Sequence, residues 1–384
     1  MIYLVFPNYD STTAGSIRFL AFASAFKKMG VDCKVVFLRP RPSYHRLEQS
    51  SDLPTVIHLW RGNKDYRNPI LKRLQYLFFY FSSFLHTKKF ARALTPNDII
   101  YLYNGMDYLH FFLKSKCKVF HERTEYPEVS KATPFNHLNK KYLKLLPKVD
   151  GLFVISTALK DYFAELGVPS NKIHILNMVV DASRFSEISK SGKAERYIAY
   201  CGTATNNKDG VDDLIRSFAI VAKEIKDIKL YIIGNAPVND MTGNAKLVAD
   251  LNIRDRVVFT GRKKSSEIPQ LLKDAEVLVL ARPDNLQAKY GFPTKLGEYL
   301  MTANPVVVTR TSDIPLFLKD GETALLAEPR NCGEISEKII WALNNKIEAN
   351  TIGESGKQVA MTSFNSEIEA KKLFKIITEP LSNY

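Results

Sequence analysis

Cysteine and metal-binding patterns are scarce in this sequence. Its four cysteines, Cys33, Cys117, Cys201 and Cys332, stand far apart, and no two of them form a C-x-x-C pair. This spacing argues against a disulfide framework or a cysteine zinc site, and it favours a reducing compartment. The sequence also has no D-x-D triplet, and its seven histidines show no metal-ligand spacing. A dedicated divalent-metal site is therefore not expected.

Long apolar runs and export signals are missing as well. The most apolar run, from Tyr76 to Leu85, is too short to span a bilayer. The first ten residues have neither a basic n-region nor a small-residue cleavage site, and they predict a buried strand instead. Both observations favour a cytoplasmic protein.

Short apolar runs alternate with helix-period segments, which is typical of parallel sheets covered on both faces. The series runs from IYLVF near the start to KIHIL, and it restarts at RYIAYC. A chain of 384 residues is also too long for one hydrophobic core. We predict an α/β fold of two doubly wound Rossmann-like domains that face each other across a cleft. A single large α/β domain is the alternative.

The polar, weakly patterned segment 186–195 separates the two series and is predicted to be a linker. The first domain is then 1–185 and the second 196–364. A C-terminal helix at about 365–384 is expected to pack back on the first domain. Ligands of open parallel sheets bind at the carboxyl ends of strands, so the loops that follow strands are the candidate sites.

The positive charge is concentrated in one half of the chain. Residues 1–185 contain 27 lysines and arginines against 14 acidic residues, whereas residues 186–384 contain 27 against 26. A basic face on one domain, directed at phosphate or at an anionic membrane surface, would produce this asymmetry.

The segment 61–92 is the most distinctive part of the basic half. Eight basic residues and one acidic residue, Asp65, flank its aromatic and aliphatic run. This composition is typical of a surface that lies on anionic lipid. A buried helix with a solvated basic face is the alternative. No nucleic-acid partner is expected, because the sequence contains no recognised nucleic-acid module.

The loop and helix start in YGFPTKLGEYL, from Tyr290 to Leu300, form the first candidate site. Gly291 allows close approach of the backbone to a ligand, and Pro293 is tolerated at the first position of a helix. The N-terminus of that helix favours an anion such as phosphate, and Lys295 adds a positive charge. Glu298 could accept hydrogen bonds from the vicinal hydroxyls of a ribose. A plain loop-to-helix junction with a solvated Glu298 is the alternative.

Two further strand ends carry candidate residues. After RYIAYC comes Gly202, then Lys208 and Gly210 just before a helix, which also favours an anion although no Walker motif is present. In the first domain, His121 is predicted to lie at the carboxyl end of a strand. A plain surface loop and a structural histidine are the respective alternatives.

Four segments in this order resemble glycosyltransferase family 4, whose members have the GT-B fold. They are ILNMVVDASRFSE, VVFTGRKKSSEIPQLLKDAEVLVLARP, YGFPTKLGEYLMTANPVVVT and LFLKDGETALLAEP. The third matches the family pattern E-G-F-G-x-x-x-x-E and the P-V-V that follows it. The resemblance covers most of the chain and is strongest from about residue 196 to 330.

The resemblance implies retaining transfer of a sugar from a nucleotide-sugar, which is a substrate rather than a cofactor, without an obligatory metal. It implies a catalytic set of His121 beside the transferred sugar, Lys208 on the departing diphosphate and Glu298 on the donor ribose. Arg262 lies where the family often contacts the base, and Gly15, in the loop after the first strand, would approach donor or acceptor. The full expected donor-binding set is Gly15, Gly202, Thr203, Lys208, Arg262, Tyr290, Gly291, Phe292, Pro293, Thr294, Lys295 and Glu298.

Two positions depart from the family pattern. Tyr290 replaces the first glutamate of the pair, which puts the recognition of the donor sugar in question, and Thr203 replaces a frequent arginine. Lys295 is a candidate to compensate for that arginine. The form G-F-P-T-K-x-x-E-Y occurs in bacterial surface-polysaccharide members of the family.

The expected function is therefore transfer from a nucleotide-sugar, with uridine as the family's commonest base, to a glycan or lipid-linked acceptor in bacterial surface-polysaccharide biosynthesis. The expected location is cytoplasmic and peripheral on the inner face of the plasma membrane. A non-catalytic GT-B-like partner subunit and a nucleotide-sugar epimerase are the alternatives.

Overall fold

The computed structural model describes residues 1–9, 13–39, 47, 50–60, 68–127, 141–192 and 195–379. The chain forms two compact units. The first contains Met1–Asn177 together with the segment from Ser366 onward, and the second contains Met178–Asn365.

The described part of the first unit has one sheet of seven parallel strands in the order β3-β2-β1-β4-β5-β6-β7. The strands are β1 (Ile2–Phe6), β2 (Cys33–Phe37), β3 (Thr55–His58), β4 (Ile99–Tyr103), β5 (Lys118–Arg123), β6 (Gly151–Val154) and β7 (Ile173–Ile175). The helices are Ala14–Lys28, Pro69–Ala93, Met106–Phe112, Thr157–Glu165 and Ser366–Thr378, with 3-10 turns at Leu146–Lys148 and Ser170–Lys172.

The described part of the second unit has six parallel strands in the order β10-β9-β8-β11-β12-β13. They are β8 (Arg196–Cys201), β9 (Ile228–Ile233), β10 (Val257–Gly261), β11 (Val277–Leu280), β12 (Val306–Thr309) and β13 (Leu325–Ala327). The helices are Asn206–Asp209, Val211–Glu224, Val238–Asp250, Ile268–Asp274, Leu286–Tyr290, Lys295–Met301, Ile314–Phe317, Cys332–Asn344 and Lys346–Ser363, with 3-10 turns at Ala182–Phe185 and Arg254–Arg256.

The central strands are apolar runs because both faces of each sheet are covered. Every residue of β6, β11 and β12 is buried, as expected for parallel strands with helices on both sides. In both units the strand order reverses beside the first strand, between β1 and β4 and between β8 and β11. Such reversal points open a crevice at the carboxyl ends of the strands.

The apolar runs named in the sequence correspond to strands of the structure, whereas β3 was not predicted. The helix Ile268–Asp274 has Glu267 as its N-cap, so the nearby Ser265 does not cap it. The carbonyl and hydroxyl of Ser265 instead accept hydrogen bonds from Arg184.

The chain crosses between the units at two places. Residues 178–185, placed in the first domain from the sequence, and the described residues of the 186–195 linker lie in the second unit. There the Val180 N–H donates to Phe364 O at 2.8 Å, beside a bridge between Val180 and Asn365. The helix Ser366–Thr378 belongs to the first unit, where Phe374 meets Phe26 edge to face at 5.9 Å.

Candidate functional site

The strand-order reversal in the second unit is the place where the candidate residues gather. At the end of β8, the Tyr299 hydroxyl accepts from the Cys201 N–H at 2.6 Å and donates to Cys201 O at 3.1 Å. Because Tyr299 belongs to the helix Lys295–Met301, these bonds fix that helix against the end of β8. The loop beginning at Gly202 therefore starts beside Lys295 and Glu298.

Glycine is required at both ends of this loop. A Cβ on Gly202 would lie 2.7 Å from Cε and Nζ of Lys295, and one on Gly210 would lie 1.8 Å from Ala281 O. Gly210 also has a φ of +65°, a conformation that side-chain-bearing residues rarely adopt. The loop is thus closely packed between the helix start and the end of β11.

Lys295 is held by a buried polar cluster. Its Nζ donates to Asp209 Oδ2 at 2.6 Å and to the Tyr200 hydroxyl at 3.1 Å, and that hydroxyl lies 2.8 Å from the same carboxylate oxygen. Burial opposes ionisation of Asp209, but Lys295, Arg282 and the Tyr200 hydroxyl together outweigh that effect and hold the pKa of the carboxyl below its usual value. Burial lowers the pKa of Lys295, and the adjacent Asp209 opposes that shift. The two side chains form an ion pair, with the Lys295 ammonium beside the backbone of Gly202.

Further positive charge lies around this cluster. Lys208 precedes Asp209, is half-buried and acts electrostatically on Lys295. Arg282 follows β11 and is 1% exposed, and its charge acts on both Asp209 and Lys295. Three cations and one carboxylate thus lie at this end of the sheet, which gives it the positive charge that a phosphate ligand requires.

Glu298 makes a different contact on the same helix. Its Oε1 accepts from Nη1 of Arg184, and each of the two side chains is 22% exposed. Nη2 of Arg184 donates to Ser265 O at 3.1 Å. The carboxylate expected to bind ribose is therefore held from one side by a guanidinium of the turn Ala182–Phe185.

The residues before the helix differ in detail from the prediction. The helix begins at Lys295 with Thr294 as its N-cap, so Pro293 lies outside it and not at its first position. Leu296 N–H bonds to Pro293 O, so a tight turn precedes the helix. The Phe292 ring packs against Phe317 and Phe364 at 5.7 and 5.6 Å. It is therefore the backbone of Phe292, and not its ring, that remains for a ligand.

The other predicted residues of the second unit lie around this region. Gly291 lies close to Arg282, since a Cβ there would be 3.8 Å from Nη2. Tyr290 is half-buried, with the Lys289 ammonium 5.6 Å from its ring centre. Thr203 is exposed, and its carbonyl is 2.8 Å from the Tyr200 hydroxyl. Arg262 is exposed just after β10.

His121 occupies a different position in its strand from the one predicted. It is the fourth of six residues in β5, because the strand continues to Arg123 along β6. His121 is fully buried, with Nδ1 3.0 Å from Leu102 O and Nε2 2.8 Å from the Tyr142 hydroxyl. Since a carbonyl only accepts, Nδ1 carries the proton and Nε2 accepts from Tyr142. Burial lowers the pKa of His121 to about 3, so the ring is neutral.

Gly15 also lies elsewhere than expected. It stands in the first turn of the helix Ala14–Lys28, not in a loop, because Thr13 caps that helix through Ser16 N–H at 3.3 Å. A Cβ on Gly15 would come within 3.3 Å of the Tyr103 ring. Close packing of the helix against Tyr103 thus explains why a glycine stands at this position.

No group of three histidine, cysteine or acidic side chains that could hold a metal ion occurs among the residues that the structure describes. Within the same residues, no helix is long and apolar enough to cross a membrane.

Sequence reasoning missed five residues of this site. They are Arg184, Tyr200, Asp209, Arg282 and Tyr299. Asp209 adjoins the predicted Lys208, and Arg184 lies within a quoted motif, so both had a signal in the sequence. The two tyrosines and Arg282 stand in apolar runs, where nothing local marks them.

The second unit is similar in sequence to known proteins. Residues 195–345 match the family model described as Glycosyl transferases group 1. A mannosyltransferase of Mycolicibacterium hassiacum, named MMP alpha-(1->4)-mannosyltransferase, is 25% identical over 48% of this chain and 42% of its own. WcaL of Escherichia coli K12, provisionally named a colanic acid biosynthesis glycosyltransferase, is 25% identical over 47% and 45%. The match thus spans less than half the length of these curated relatives.

The structural likeness extends over the whole chain. The crystal structure of Anabaena HepE in complex with UDP and glucose has a TM-score of 0.74 at 13% identity and covers 99% of both chains. That likeness shows the fold. Residues 195–345 are therefore similar to the Glycosyl transferases group 1 family, in a chain that has the GT-B fold.

Proposed function

We propose that this protein is a retaining glycosyltransferase of family 4 that transfers a sugar from a nucleotide-sugar to a glycan or lipid-linked acceptor. The observation that carries the proposal is the arrangement at the strand-order reversal of the second unit. There, the carboxylate of Glu298 and the ammonium of Lys295 project from one helix beside the loop that begins at Gly202. A nucleoside diphosphate presents its ribose diol to Glu298 and its diphosphate to Lys295.

The charges fit the chemistry of a departing diphosphate. The bond from the anomeric carbon to the phosphate oxygen breaks and its electrons leave with the diphosphate, so negative charge grows there. Lys208 and Lys295 stabilise that charge, and they do so more effectively in a partly buried site than in water. The acceptor oxygen bonds to the anomeric carbon on the same face, and its proton passes to the leaving phosphate, as the family resemblance implies. No metal is assigned to this step.

The names of the relatives support the substrate class. HepE was solved with UDP and glucose, WcaL is named for colanic acid biosynthesis, and the other relative is named an alpha-(1->4)-mannosyltransferase. We therefore propose UDP as the nucleotide and bacterial surface-polysaccharide biosynthesis as the setting. Tyr290, in place of the first family glutamate, is expected from the family resemblance to affect the choice of sugar.

A peripheral membrane location at the inner face of the plasma membrane is part of the proposal. One side of the helix Pro69–Ala93 packs inward, where the Ser83 hydroxyl lies 2.7 Å from that of Tyr108. The opposite side exposes large apolar residues at helical spacing, namely Ile70, Leu74, Phe78, Phe81 and Leu85, which are 57–70% exposed. Lys88, Lys89 and Arg92 follow them. An apolar face with adjacent cations fits an anionic lipid surface. Arg61–Arg67, also included in this prediction, lies outside the described residues.

Calorimetric titration of UDP, GDP and ADP tests the donor site. One of the three is expected to bind the wild type, and Glu298→Ala should weaken that binding at least about tenfold, the loss expected for a charge-assisted hydrogen bond. Glu337→Ala, which removes an exposed carboxylate from the helix Cys332–Asn344, is the matched control and should bind like the wild type. If no nucleotide binds the wild type, the non-catalytic partner subunit becomes the better explanation. Sugar epimerisation without transfer would favour the epimerase.

A further inference from the structure

Arg184 joins three segments of the second unit. It lies in the 3-10 turn Ala182–Phe185, pairs through Nη1 with Glu298 of the helix Lys295–Met301, and donates through Nη2 to Ser265 O at 3.1 Å and Ser265 Oγ at 3.4 Å. Ser265 belongs to the loop that follows β10, and the same loop contains Arg262. One guanidinium thus connects the predicted ribose carboxylate to the loop predicted to lie near the base.

The turn that carries Arg184 is itself fixed. Asp181 Oδ1 accepts from Ser183 N–H at 3.0 Å and from the Ser183 hydroxyl at 2.6 Å, which caps the turn. Phe185 is 7% exposed and anchors its other end. The residues of the motif D-A-S-R-F therefore have distinct tasks: Asp181 and Phe185 hold the backbone, and Arg184 reaches the carboxylate.

The contact leaves the Glu298 carboxylate half engaged. Oε1 accepts from Arg184, and Oε2 has no hydrogen-bond partner within the part of the chain that the structure describes. A glutamate side chain on its own samples several rotamers, so holding one oxygen restricts where the other points. A carboxylate held in this way can present Oε2 to a neighbouring pair of hydroxyls without a further loss of side-chain entropy.

We propose that Arg184 is a positioning residue for ribose recognition: it orients Glu298 so that the site distinguishes ribonucleotides from 2′-deoxyribonucleotides. This inference rests on the proposed function, because it requires a nucleoside diphosphate at the site. Arg184 acts through Glu298 and does not itself touch the ribose. Were it only a partly exposed ion pair, its removal would change stability slightly and leave the preference for ribose unchanged.

Binding of UDP and 2′-deoxy-UDP to each variant tests the proposal, with GDP and 2′-deoxy-GDP if guanine proves to be the base. The wild type should prefer the ribonucleotide by about tenfold or more, since a hydrogen bond to a charged group is lost in the deoxy form. Arg184→Gln should reduce that ratio at least about threefold. Arg184→Lys, which restores a cation but not the forked geometry, should recover part of it. Glu298→Gln should abolish the preference, and adding Arg184→Gln to it should change the ratio no further.

The control variant is Arg254→Gln, which removes an exposed arginine of the same unit and should keep the wild-type ratio. An unchanged ratio in Arg184→Gln would refute the inference. If the wild type still binds UDP, the proposed donor site remains supported. Tighter binding of UDP by Arg184→Gln would refute it too, because Arg184 would then compete with ribose for Glu298. If the wild type binds no nucleoside diphosphate, this inference and the proposed function fail together.

Discussion

At the scale of single residues, Lys295 is a side chain that we expect to serve both fold and ligand. Its ammonium neutralises the carboxylate of Asp209, which is 3% exposed, and it also lies where a diphosphate is expected. Thr203 stands where the family often has an arginine. We therefore expect Lys295 to supply the positive charge that this arginine would have given.

Two variants separate the roles of Lys295. Lys295→Ala should destabilise the protein by about 3 kcal/mol or more, because it leaves a buried carboxylate without its partner, and it should also weaken UDP binding. The double variant Lys295→Ala/Asp209→Ala should regain much of the stability, measured by urea unfolding, but not the binding, measured by calorimetry. Recovery of binding in the double variant, or wild-type affinity and turnover in Lys295→Ala, would show that the lysine does not contact the diphosphate.

His121 is a second residue whose environment decides its behaviour. It is fully buried between Leu102 O and the Tyr142 hydroxyl. A sugar could reach Nε2 only if Tyr142 moved away. Its contact with the transferred sugar thus stays a prediction, whereas its neutral state has a direct thermodynamic consequence.

The stability of the first unit should depend on His121 below neutral pH. Burial lowers the folded-state pKa of His121 to about 3, against about 6.5 in the unfolded chain. The stabilisation that comes from keeping His121 neutral is therefore fully present above pH 6.5, and it is lost as the pH falls toward 3. Between pH 7 and pH 5 the loss from this one group is about 2 kcal/mol.

Urea unfolding of wild type and His121→Gln at pH 7, 6 and 5 measures this effect. The variant should be less stable at pH 7, but its stability should fall less between pH 7 and pH 5. His86→Gln, at an exposed position, should follow the wild type. Parallel curves for wild type and His121→Gln would mean that His121 is not held neutral by the fold.

At the scale of elements, the loop from Gly202 to Gly210 depends on backbone that passes very close to β11. Gly210→Ala would place a Cβ 1.8 Å from Ala281 O in addition to the cost of its positive φ. Gly321 has a similar φ of +72° but nothing within 4 Å of its Cβ position. The two glycines therefore form a matched pair within one unit.

Gly210→Ala should lower the free energy of unfolding by about 3 kcal/mol or more, and Gly321→Ala by about 1 kcal/mol. Urea unfolding with the same probe for both variants gives the comparison. Equal losses would indicate that the loop shifts away from β11 without difficulty. Because the loop carries Lys208, the affinity for UDP should fall in Gly210→Ala and not in Gly321→Ala.

At the scale of the whole molecule, the positive charge and the exposed apolar helix face both belong to the first half of the chain. Residues 1–185 hold an excess of 13 basic over acidic residues. In the proposed location, the charge would bring the protein to an anionic surface, and the apolar face of the helix Pro69–Ala93 would hold it there. Both the positive charge and the exposed apolar face are needed for the proposed peripheral location.

Flotation with liposomes tests this location. The wild type should float with vesicles containing phosphatidylglycerol at low salt, should float less at 0.5 M salt because screening shortens the electrostatic range, and should not float with neutral phosphatidylcholine vesicles. The double variant Phe78→Ser/Phe81→Ser should lose binding. Leu316→Ser, at a 70% exposed position of the second unit, should not. Absence of binding by the wild type at low salt would rule out membrane docking.

The sequence by itself determined the repeated strand-helix order and hence the two sheets, because a strand buried on both faces must be apolar along its length, as β11 and β12 are. It also pointed to Lys208, Lys295 and Glu298, since charges beside glycine at strand ends are a local pattern. Only the tertiary structure decided which groups these residues meet. Asp209 and Arg184 reach Lys295 and Glu298 from positions 86 and 114 residues away. The burial of His121, likewise, results from Tyr142 and from strands on both sides. Such contacts depend on how strands are ordered and helices packed, and spacing along the chain does not record that order.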